Sequence, residues 1–299
     1  MNKKWKLGLA SMLVVFALAL SACGQDQGSN QDQGSGEVQQ GFKHITGIEP
    51  GAGVMKQAEQ AISDYGLDIE IVPSSSASMA AELKAAIEKE EWIVVTGWTP
   101  HWKFSAFDLK YLDDPKGSFG GVETINTVVR KGLKEDKPEA YQVLDNFHWT
   151  TDDMGTIMLD IYENNTDPQV AAQAWIDQNR DKVDSWIDGV NTVDGEQLRL
   201  SYVAWDSEIA STNMIALVLG EIGYDVEITP VDNTPMWQSV AEGTYDGMVA
   251  AWLPDNHGPQ YEEFKDDIEL LGPNLEGAKV GLVVPSYVTI DSIVDIKVK

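Results

Sequence analysis

The chain has 299 residues, and its 48 acidic and 21 basic side chains give it a formal net charge of −27 at pH 7. This excess of negative charge repels nucleic-acid phosphates and anionic lipid head groups, which argues against a nucleic-acid-binding protein and against charge-driven docking on membranes. We interpret the acidity as a solvated surface that keeps an exported protein soluble, with adaptation to high external salt as an alternative.

The N-terminus has the pattern of an export signal. Three lysines among the first six residues precede an uninterrupted run of apolar and small residues at 7–20. That run is shorter than the roughly 20 residues that span a bilayer, and it suits a secretory signal. The following Leu20-Ser-Ala-Cys23 resembles the lipobox of bacterial lipoproteins, in which the cysteine thiol accepts a diacylglycerol. We therefore predict a lipoprotein signal peptide at 1–22 and a lipid anchor at Cys23, palmitate among its acyl chains, on the extracytoplasmic face of the cell membrane. The alternative is a buried free thiol in a signal-anchor protein.

Residues 23–41 form the next segment, which contains very few apolar side chains. Such a segment cannot bury enough surface to offset the entropy of ordering it, so we predict a flexible tether. The remaining stretch of roughly 255 residues is long enough for two modest lobes, each with its own core. Because Cys23 is the single cysteine of the chain, an intramolecular disulfide is excluded.

The most informative feature is an internal repeat. One copy covers 44–100 and the other 200–254, and each reads as strand, helix, strand, helix, strand. Short β-branched runs predict the strands, and apolar residues at three- and four-residue spacing predict the helices. Each copy ends with a Trp two residues before a Pro, at Trp98 and at Trp252. Alternating strands and helices predict an α/β fold with parallel sheets flanked by helices.

The segment between the two copies covers 122–195. It begins with a predicted strand at 122–130, and helical patterns follow around 138–146, 152–162 and 168–188. We interpret this segment as packing.

Unusual residues stand where the predicted strands end. Trp98 and Trp252 follow the last strand of their copies, Trp205 follows the first strand of the second copy, and a Gly-rich turn at 50–53 takes the equivalent place in the first copy. Ligands of open parallel sheets bind beyond the carboxyl ends of the strands. Two similar lobes with such edges predict a cleft protein that closes on a ligand.

The three tryptophans are candidates for a cation site. An indole face attracts a cation within about 6 Å, by roughly 0.5–2 kcal/mol, and several faces together suit a trimethylammonium group, which donates no hydrogen bond. The competing interpretation is that Trp98, Trp205 and Trp252 are core or interlobe packing residues, because aromatic side chains dominate cores. Their positions beside Pro, Asp or Gly, rather than inside apolar runs, favour the cation site.

The other end of a zwitterionic ligand needs hydrogen-bond donors. The turn before the helix that starts near Val54 leaves backbone N–H groups free at a helix N-terminus, where an anion is favoured. Gly53 permits close backbone approach, so the amides of Gly53 and Val54 are the predicted carboxylate donors. His257, five residues after Trp252, is a third candidate donor. By itself a Gly-Ala-Gly sequence is usually only a turn, and a lone His is more often a surface or capping residue.

Three segments carry a family resemblance: Gly97-Trp-Thr-Pro-His-Trp102, Tyr202-Val-Ala-Trp-Asp-Ser-Glu-Ile-Ala-Ser-Thr212 and Ala251-Trp-Leu-Pro254. Together with Tyr111-Leu-Asp-Asp-Pro115, they resemble the glycine betaine-binding lipoproteins of bacterial osmoprotectant ABC importers, and the likeness runs from residue 42 to the C-terminus. In that family three tryptophans surround the trimethylammonium group, and two backbone amides and a histidine hold the carboxylate. The resemblance implies these roles for Trp98, Trp205 and Trp252, and for Gly53, Val54 and His257.

The resemblance also implies the architecture and the partners. It implies a two-lobed, periplasmic-binding-protein-like (type II) α/β fold, in which each lobe is a mainly parallel sheet flanked by helices and the ligand cleft lies between the lobes. Lobe A is predicted at 42–125 plus 285–299 and lobe B at 126–284, with crossovers near 124–130 and 283–287. An ABC permease and an ATPase are the implied partners of a monomeric binding protein without enzymatic activity, cofactor or metal.

Other functions were weighed against this one. An enzyme is disfavoured because Ser207 stands in no Gly-x-Ser-x-Gly elbow and the four histidines have no metal-ligand spacing. A ligand sensor that signals to a membrane receptor would have the same cleft and stays open. The ligand stays open among glycine betaine, proline betaine, carnitine and a dimethylsulfonio analogue. Choline lacks the carboxylate and would leave the donors at Gly53 and His257 unmatched.

Overall fold

The computed structural model describes residues 41–299, so the predicted signal peptide, Cys23 and nearly all of the predicted tether lie outside the described residues. Within this range the protein is a mixed α/β structure with one sheet of nine strands, which confirms the predicted fold class. No helix in this part of the chain is both long and apolar enough to cross a membrane.

The elements fall into two groups, which we call lobe A and lobe B. Lobe A comprises β1 (Ile45–Thr46), α1 (Gly53–Tyr65), β2 (Ile71–Val72), α2 (Ser76–Glu88), β3 (Val94–Thr99), α3 (Lys103–Ala106) and β4 (Leu109–Tyr111). Lobe B comprises β5 (Glu123–Arg130), α4 (Leu133–Asp136), α5 (Pro138–Asn146), α6 (Thr151–Asn164), α7 (Pro168–Gln178), α8 (Arg180–Ile187), β6 (Gln197–Tyr202), α9 (Asp206–Glu221), β7 (Asp225–Pro230), α10 (Asn233–Ala241), β8 (Gly247–Leu253) and α11 (Gly258–Phe264). The strand β9 (Ile268–Pro285) and a 3-10 turn (Ile293–Asp295) complete the chain.

The strand order is β2-β1-β3-β9-β5-β8-β6-β7, with β4 paired to β9 outside this path. In lobe A, β1 lies between its parallel partners β2 and β3, and in lobe B, β6 lies between its parallel partners β7 and β8. The first strand of each sequence copy is therefore flanked by the second and third strands of that copy. The topology repeats as the sequence predicts.

The long strand β9 joins the two lobes. Its residues 268–278 pair with β5 and its residues 279–283 pair with β3, both in antiparallel orientation. The change of partner lies between Ala278 and Lys279, earlier in the chain than the crossover predicted near 283–287. The lobe boundaries drawn from the sequence stay a prediction.

Local sequence explains the ends of α1. The buried side chains of Met55, Ala58 and Ala61 follow helical spacing and face the core. The helix ends at Gly66, whose φ of 63° is the left-handed conformation that favours glycine. At its start, Ala52 has no side-chain acceptor for the first N–H groups, so this N-terminus points uncapped toward the region between the lobes.

The region predicted as packing forms α4–α8. The predicted helical stretch at 168–188 is two helices, because Asn179 interrupts it with φ −125° and ψ 34°. The Asn179 side-chain amide donates to the carbonyl of Trp175 at 2.8 Å, a local bond that competes with helix continuation. The rings of Trp175 and Trp186 stack with centroids 6.2 Å apart and are buried, which supports the packing interpretation.

Candidate ligand-binding site

A small cavity lies between the lobes, near the carboxyl ends of β1, β3, β6 and β8. Its wall is formed by Gly53, Val54, Trp98, Trp205 and Trp252, together with Ile48, Ala52, Ser207, Asn256 and Val280. His257 follows Asn256 directly, and its ring centroid lies 6.2 Å from that of Trp205. The structure therefore brings the six residues predicted from the sequence together. Their roles as ligand contacts stay predictions.

The three indoles reach the cavity from three different strand ends. Trp98 stands near the end of β3, Trp205 precedes α9 at its N-cap after β6, and Trp252 stands near the end of β8. All three side chains are buried, with exposed fractions of 4%, 6% and 2%. A cation that enters this wall is desolvated, the condition under which its attraction to an indole face is strongest.

Lys103, the first residue of α3, lies against Trp98. Its side chain is fully buried, and its Nζ stands 4.1 Å from the centroid of the Trp98 ring. Residues 41–299 supply no hydrogen-bond acceptor to this Nζ. Burial lowers the pKa of Lys103 to about 7, although the nearby Asp206 carboxylate acts to raise it. Lys103 therefore covers part of the Trp98 ring. Trp98 also contributes to the cavity wall.

Backbone amides are available at the end of the cavity that α1 lines with its N-terminus. Gly53 and Val54 are the first two residues of α1, and their N–H groups have no hydrogen-bond acceptor within the described part of the chain. The first N–H groups of a helix cannot bond within the helix, and the helix dipole favours an anion there. This end of the cavity therefore suits a carboxylate.

His257 supplies a side-chain donor. Its Nδ1 accepts a hydrogen bond from the backbone N–H of Trp252 at 3.2 Å, which places the proton of the neutral ring on Nε2. The Nε2 is buried and has no partner among the residues described. Burial lowers the pKa of His257 to about 3, so the ring is neutral at physiological pH. His257 is thus a neutral donor with a free N–H.

Glu123, at the start of β5, holds the turn that carries His257. Its Oε1 accepts hydrogen bonds from the backbone N–H groups of Asp255 and Asn256, at 3.1 and 2.5 Å. Burial raises the pKa of Glu123 to about 7, and the charge of Asp255 acts in the same direction. These two bonds fix the turn that places Asn256 in the cavity wall, immediately before His257.

Glu208 lies on α9 behind the tryptophan wall. Its Oε2 accepts a hydrogen bond from the backbone N–H of Val203 at 3.0 Å, and its side chain is fully buried. Burial raises the pKa of Glu208 to about 8, more than the hydrogen bonds from Val203 and Trp252 lower it. Glu208 is therefore mainly an uncharged acid at neutral pH.

Direct hydrogen bonds between the lobes show that the cleft is closed. Trp205 Nε1, in lobe B, donates to Glu49 Oε2 in lobe A at 2.9 Å. Asn233 Nδ2, in lobe B, donates to the carbonyl oxygen of Gly51 in lobe A at 3.2 Å. The cavity is therefore bounded by both lobes at once.

Sequence reasoning missed three residues of this region. Ser207 and Asn256 line the cavity, and the Ser207 Oγ and Asn256 Oδ1 have no hydrogen-bond partner in residues 41–299. A local signal existed for both, since Ser207 stands two residues after Trp205 and Asn256 immediately precedes His257. Glu49 bonds an indole 156 residues away, and no local pattern points to such a partner.

Two solved structures resemble parts of the chain. The crystal structure of lactococcal OpuAC, in its closed-liganded conformation with glycine betaine, is 53% identical, and the match covers 48% of this chain and 57% of that one with a TM-score of 0.47. The glycine betaine/L-proline-binding protein of Borrelia burgdorferi is 39% identical, with coverage of 48% and 55% and a TM-score of 0.45. The chain thus spans just over half the length of each of these structures.

Two comparisons of sequence match a larger share of the chain. The model of the substrate-binding domain of the ABC-type glycine betaine transport system matches residues 31–178 and 196–299. The glycine betaine/carnitine transport binding protein of Listeria monocytogenes is 50% identical over 98% of this chain and 98% of its own length. The chain therefore belongs to the family of substrate-binding domains of ABC-type glycine betaine transport systems.

Proposed function

We propose that this protein captures glycine betaine, or a related zwitterion with a methylated cation, in its closed cleft and delivers it to an ABC importer for use as an osmoprotectant. One observation carries the proposal: a wall of three indoles faces the same cavity as donors that lack a partner in the described residues. These donors are the N–H groups of Gly53 and Val54, and a further unpartnered donor, the Nε2–H of His257, directly follows the cavity residue Asn256 in the chain.

Both ends of the ligand find matching chemistry. The trimethylammonium group donates no hydrogen bond, so indole faces stabilise it without leaving a buried donor unsatisfied. The carboxylate accepts from three donors, and a hydrogen bond to a charged group contributes roughly 1.5–3 kcal/mol. Choline would leave all three donors buried and unsatisfied, which disfavours it as the ligand. A sensor with the same cleft would bind the same ligand, and the family membership favours transport.

Calorimetric titration of the purified protein tests the ligand. We expect glycine betaine to bind, and we include carnitine in the panel because the name of the Listeria monocytogenes relative includes it. Proline betaine, a dimethylsulfonio analogue and choline complete the panel, with choline as the ligand that lacks the carboxylate. Absence of heat and of a thermal shift at millimolar glycine betaine would refute the proposal.

The proposal includes location and partners. We place the protein on the extracytoplasmic face of the cell membrane, as a monomer anchored through acylated Cys23, where it meets the permease and ATPase subunits of the importer. The lipobox-like sequence before Cys23 supports this placement. Mass spectrometry of the membrane-derived protein should find acyl chains on the wild type and none on the Cys23→Ala variant. Acyl chains on that variant would refute the anchor.

A further inference from the structure

Two reciprocal indole–carboxylate bonds cross the cleft. Trp205 Nε1, from lobe B, donates to Glu49 Oε2 of lobe A at 2.9 Å. Trp102 Nε1, from lobe A, donates to Asp206 Oδ1 of lobe B at 2.9 Å. Since Trp205 and Asp206 are consecutive residues at the start of α9, both bonds act on the same turn of lobe B.

Ser76, the first residue of α2, connects the two carboxylates. Its backbone N–H donates to Glu49 Oε1 at 3.3 Å, and its hydroxyl donates to Asp206 Oδ2 at 2.9 Å. Ser76 is 3% exposed, so these bonds are partly shielded from solvent. We call Glu49, Ser76, Trp102, Trp205 and Asp206 the interlobe network.

The charge of Asp206 is stabilised where it lies. Burial acts to raise its pKa, but the nearby His101 ring and hydrogen bonds from Trp102 and Ser76 outweigh burial and hold the pKa of Asp206 well below its usual value. His101 Nε2 stands 3.4 Å from Asp206 Oδ2, and burial lowers the pKa of His101 itself to about 4. Each donor to Asp206 belongs to lobe A, so opening the cleft removes them together.

We propose that Glu49 and Asp206 are positioning residues that act only when the two lobes are closed: Glu49 holds the Trp205 indole in its ligand-binding orientation, and Asp206 fixes the turn that carries Trp205. An indole has one N–H donor, and the acceptor for Trp205 is on the opposite lobe. In the open state that donor has no fixed partner, and the ring is free to turn. A carboxylate on the indole N–H also polarises the ring and increases the negative charge of its face, which strengthens its attraction for a cation.

This inference rests on the proposed function, and a double-mutant cycle separates it from a merely structural contact. Glycine betaine dissociation constants are measured for wild type, Glu49→Ala, Trp205→Phe and the double variant, each checked for folding. Phe keeps an aromatic face and removes the N–H that Glu49 accepts. We expect Glu49→Ala to weaken binding about 10-fold or more in the wild-type background. In the Trp205→Phe background we expect it to weaken binding by no more than about 2-fold.

The control and the second half of the network complete the test. Glu59→Ala, an exposed acidic residue on α1, removes the same charge and should leave the affinity unchanged. Asp206→Ala should weaken binding strongly, and less so in a Trp102→Phe background. Asp206→Asn should weaken binding less than Asp206→Ala, because its amide oxygen still accepts from Trp102, although its N–H₂ then faces the Nε2–H of His101. This second cycle also tests the positioning role if Glu49→Ala fails to fold.

An equal loss from Glu49→Ala in both backgrounds would overturn the proposal, since Glu49 would then act without the Trp205 N–H. An unchanged affinity of Glu49→Ala would overturn it as well. If wild-type protein does not bind glycine betaine, the proposed function fails. If wild type binds and neither cycle shows coupling, only the positioning role fails.

Discussion

A single methyl group added at Gly53 should weaken ligand binding without lowering the stability of the unliganded protein. A Cβ added there would lie 2.1 Å from the Asn256 carbonyl oxygen and 2.2 Å from its Oδ1. Asn256 belongs to lobe B and Gly53 to lobe A, so the clash exists only in the closed state. Gly53→Ala should therefore oppose closure while leaving the amide N–H of residue 53 in place.

The magnitude follows from the distances. Ordinary contact begins at 3.4 Å, so the two segments must separate by at least about 1.3 Å, the difference between 3.4 and 2.1 Å. That displacement exceeds the spread of hydrogen-bond lengths, so one or two bonds between the ligand carboxylate and its donors are lost. We expect a loss of about 2–4 kcal/mol, or roughly 30- to 1,000-fold in Kd.

Stability of the unliganded protein should change in the opposite direction. Gly53 begins α1 without a left-handed φ, and replacing such a glycine by Ala stabilises by roughly 0.4–1 kcal/mol through the unfolded chain. Calorimetry and thermal unfolding measure the two effects on one sample. Gly51→Ala, in the same turn with no atom within 4 Å of the added Cβ, is the matched control and should bind normally. Binding by Gly53→Ala within about 3-fold of wild type would refute the reasoning.

Three further predictions concern the cavity and its surroundings. Trp252→Ala should weaken glycine betaine binding by roughly 10- to 100-fold and Trp252→Phe by less, since Phe retains a π face. Equal losses for the two variants would mean that shape sets the affinity. Trp149→Ala is the core control and should change stability only. His257→Ala should weaken the binding of glycine betaine more than the binding of choline in the calorimetric panel. The affinity of wild type for glycine betaine should show no titration near pH 6.5, because burial lowers the pKa of His257 to about 3. A midpoint near pH 6.5 in wild type that disappears in the variant would contradict this. Glu208 has a pKa raised from 4.5 to about 8, so the folded state keeps a proton that the unfolded state releases, and stability falls as pH rises through this window. Glu208→Gln does not titrate, so its stability relative to wild type should increase by on the order of 3 kcal/mol between pH 4.5 and 8; equal urea midpoints for both proteins at both pH values would refute the assignment.

Much of the site was predictable because its signals are local. Trp98 stands near the end of a β-branched run, Trp252 near the end of a short apolar run, and Gly53 opens a helix that shows 3.6-residue spacing. The repeat predicted two lobes, and parallel strands bring such positions to one edge of the sheet. These features depend on the order of residues along the chain and not on distant partners.

Other features depended on the folded geometry and not on residue type. The free proton of His257 is on Nε2 because the folded turn directs the Trp252 N–H to Nδ1. Nothing in the sequence distinguishes Lys103 from a surface lysine, yet in the structure its side chain is buried against Trp98. In neither case does the residue type reveal the protonation or the exposure.

The sequence by itself therefore determined the two α/β units, the strand ends that carry the indoles and the family resemblance. Tertiary structure alone decided where β9 changes partner and that Glu49 and Asp206 accept indole N–H groups from the opposite lobe. The physical reason is the separation along the chain over which each kind of interaction acts. Periodicity and turn residues act over a few neighbours, whereas hydrogen-bond partners and burial are set by chain segments more than 100 residues apart, which only the packed lobes bring together.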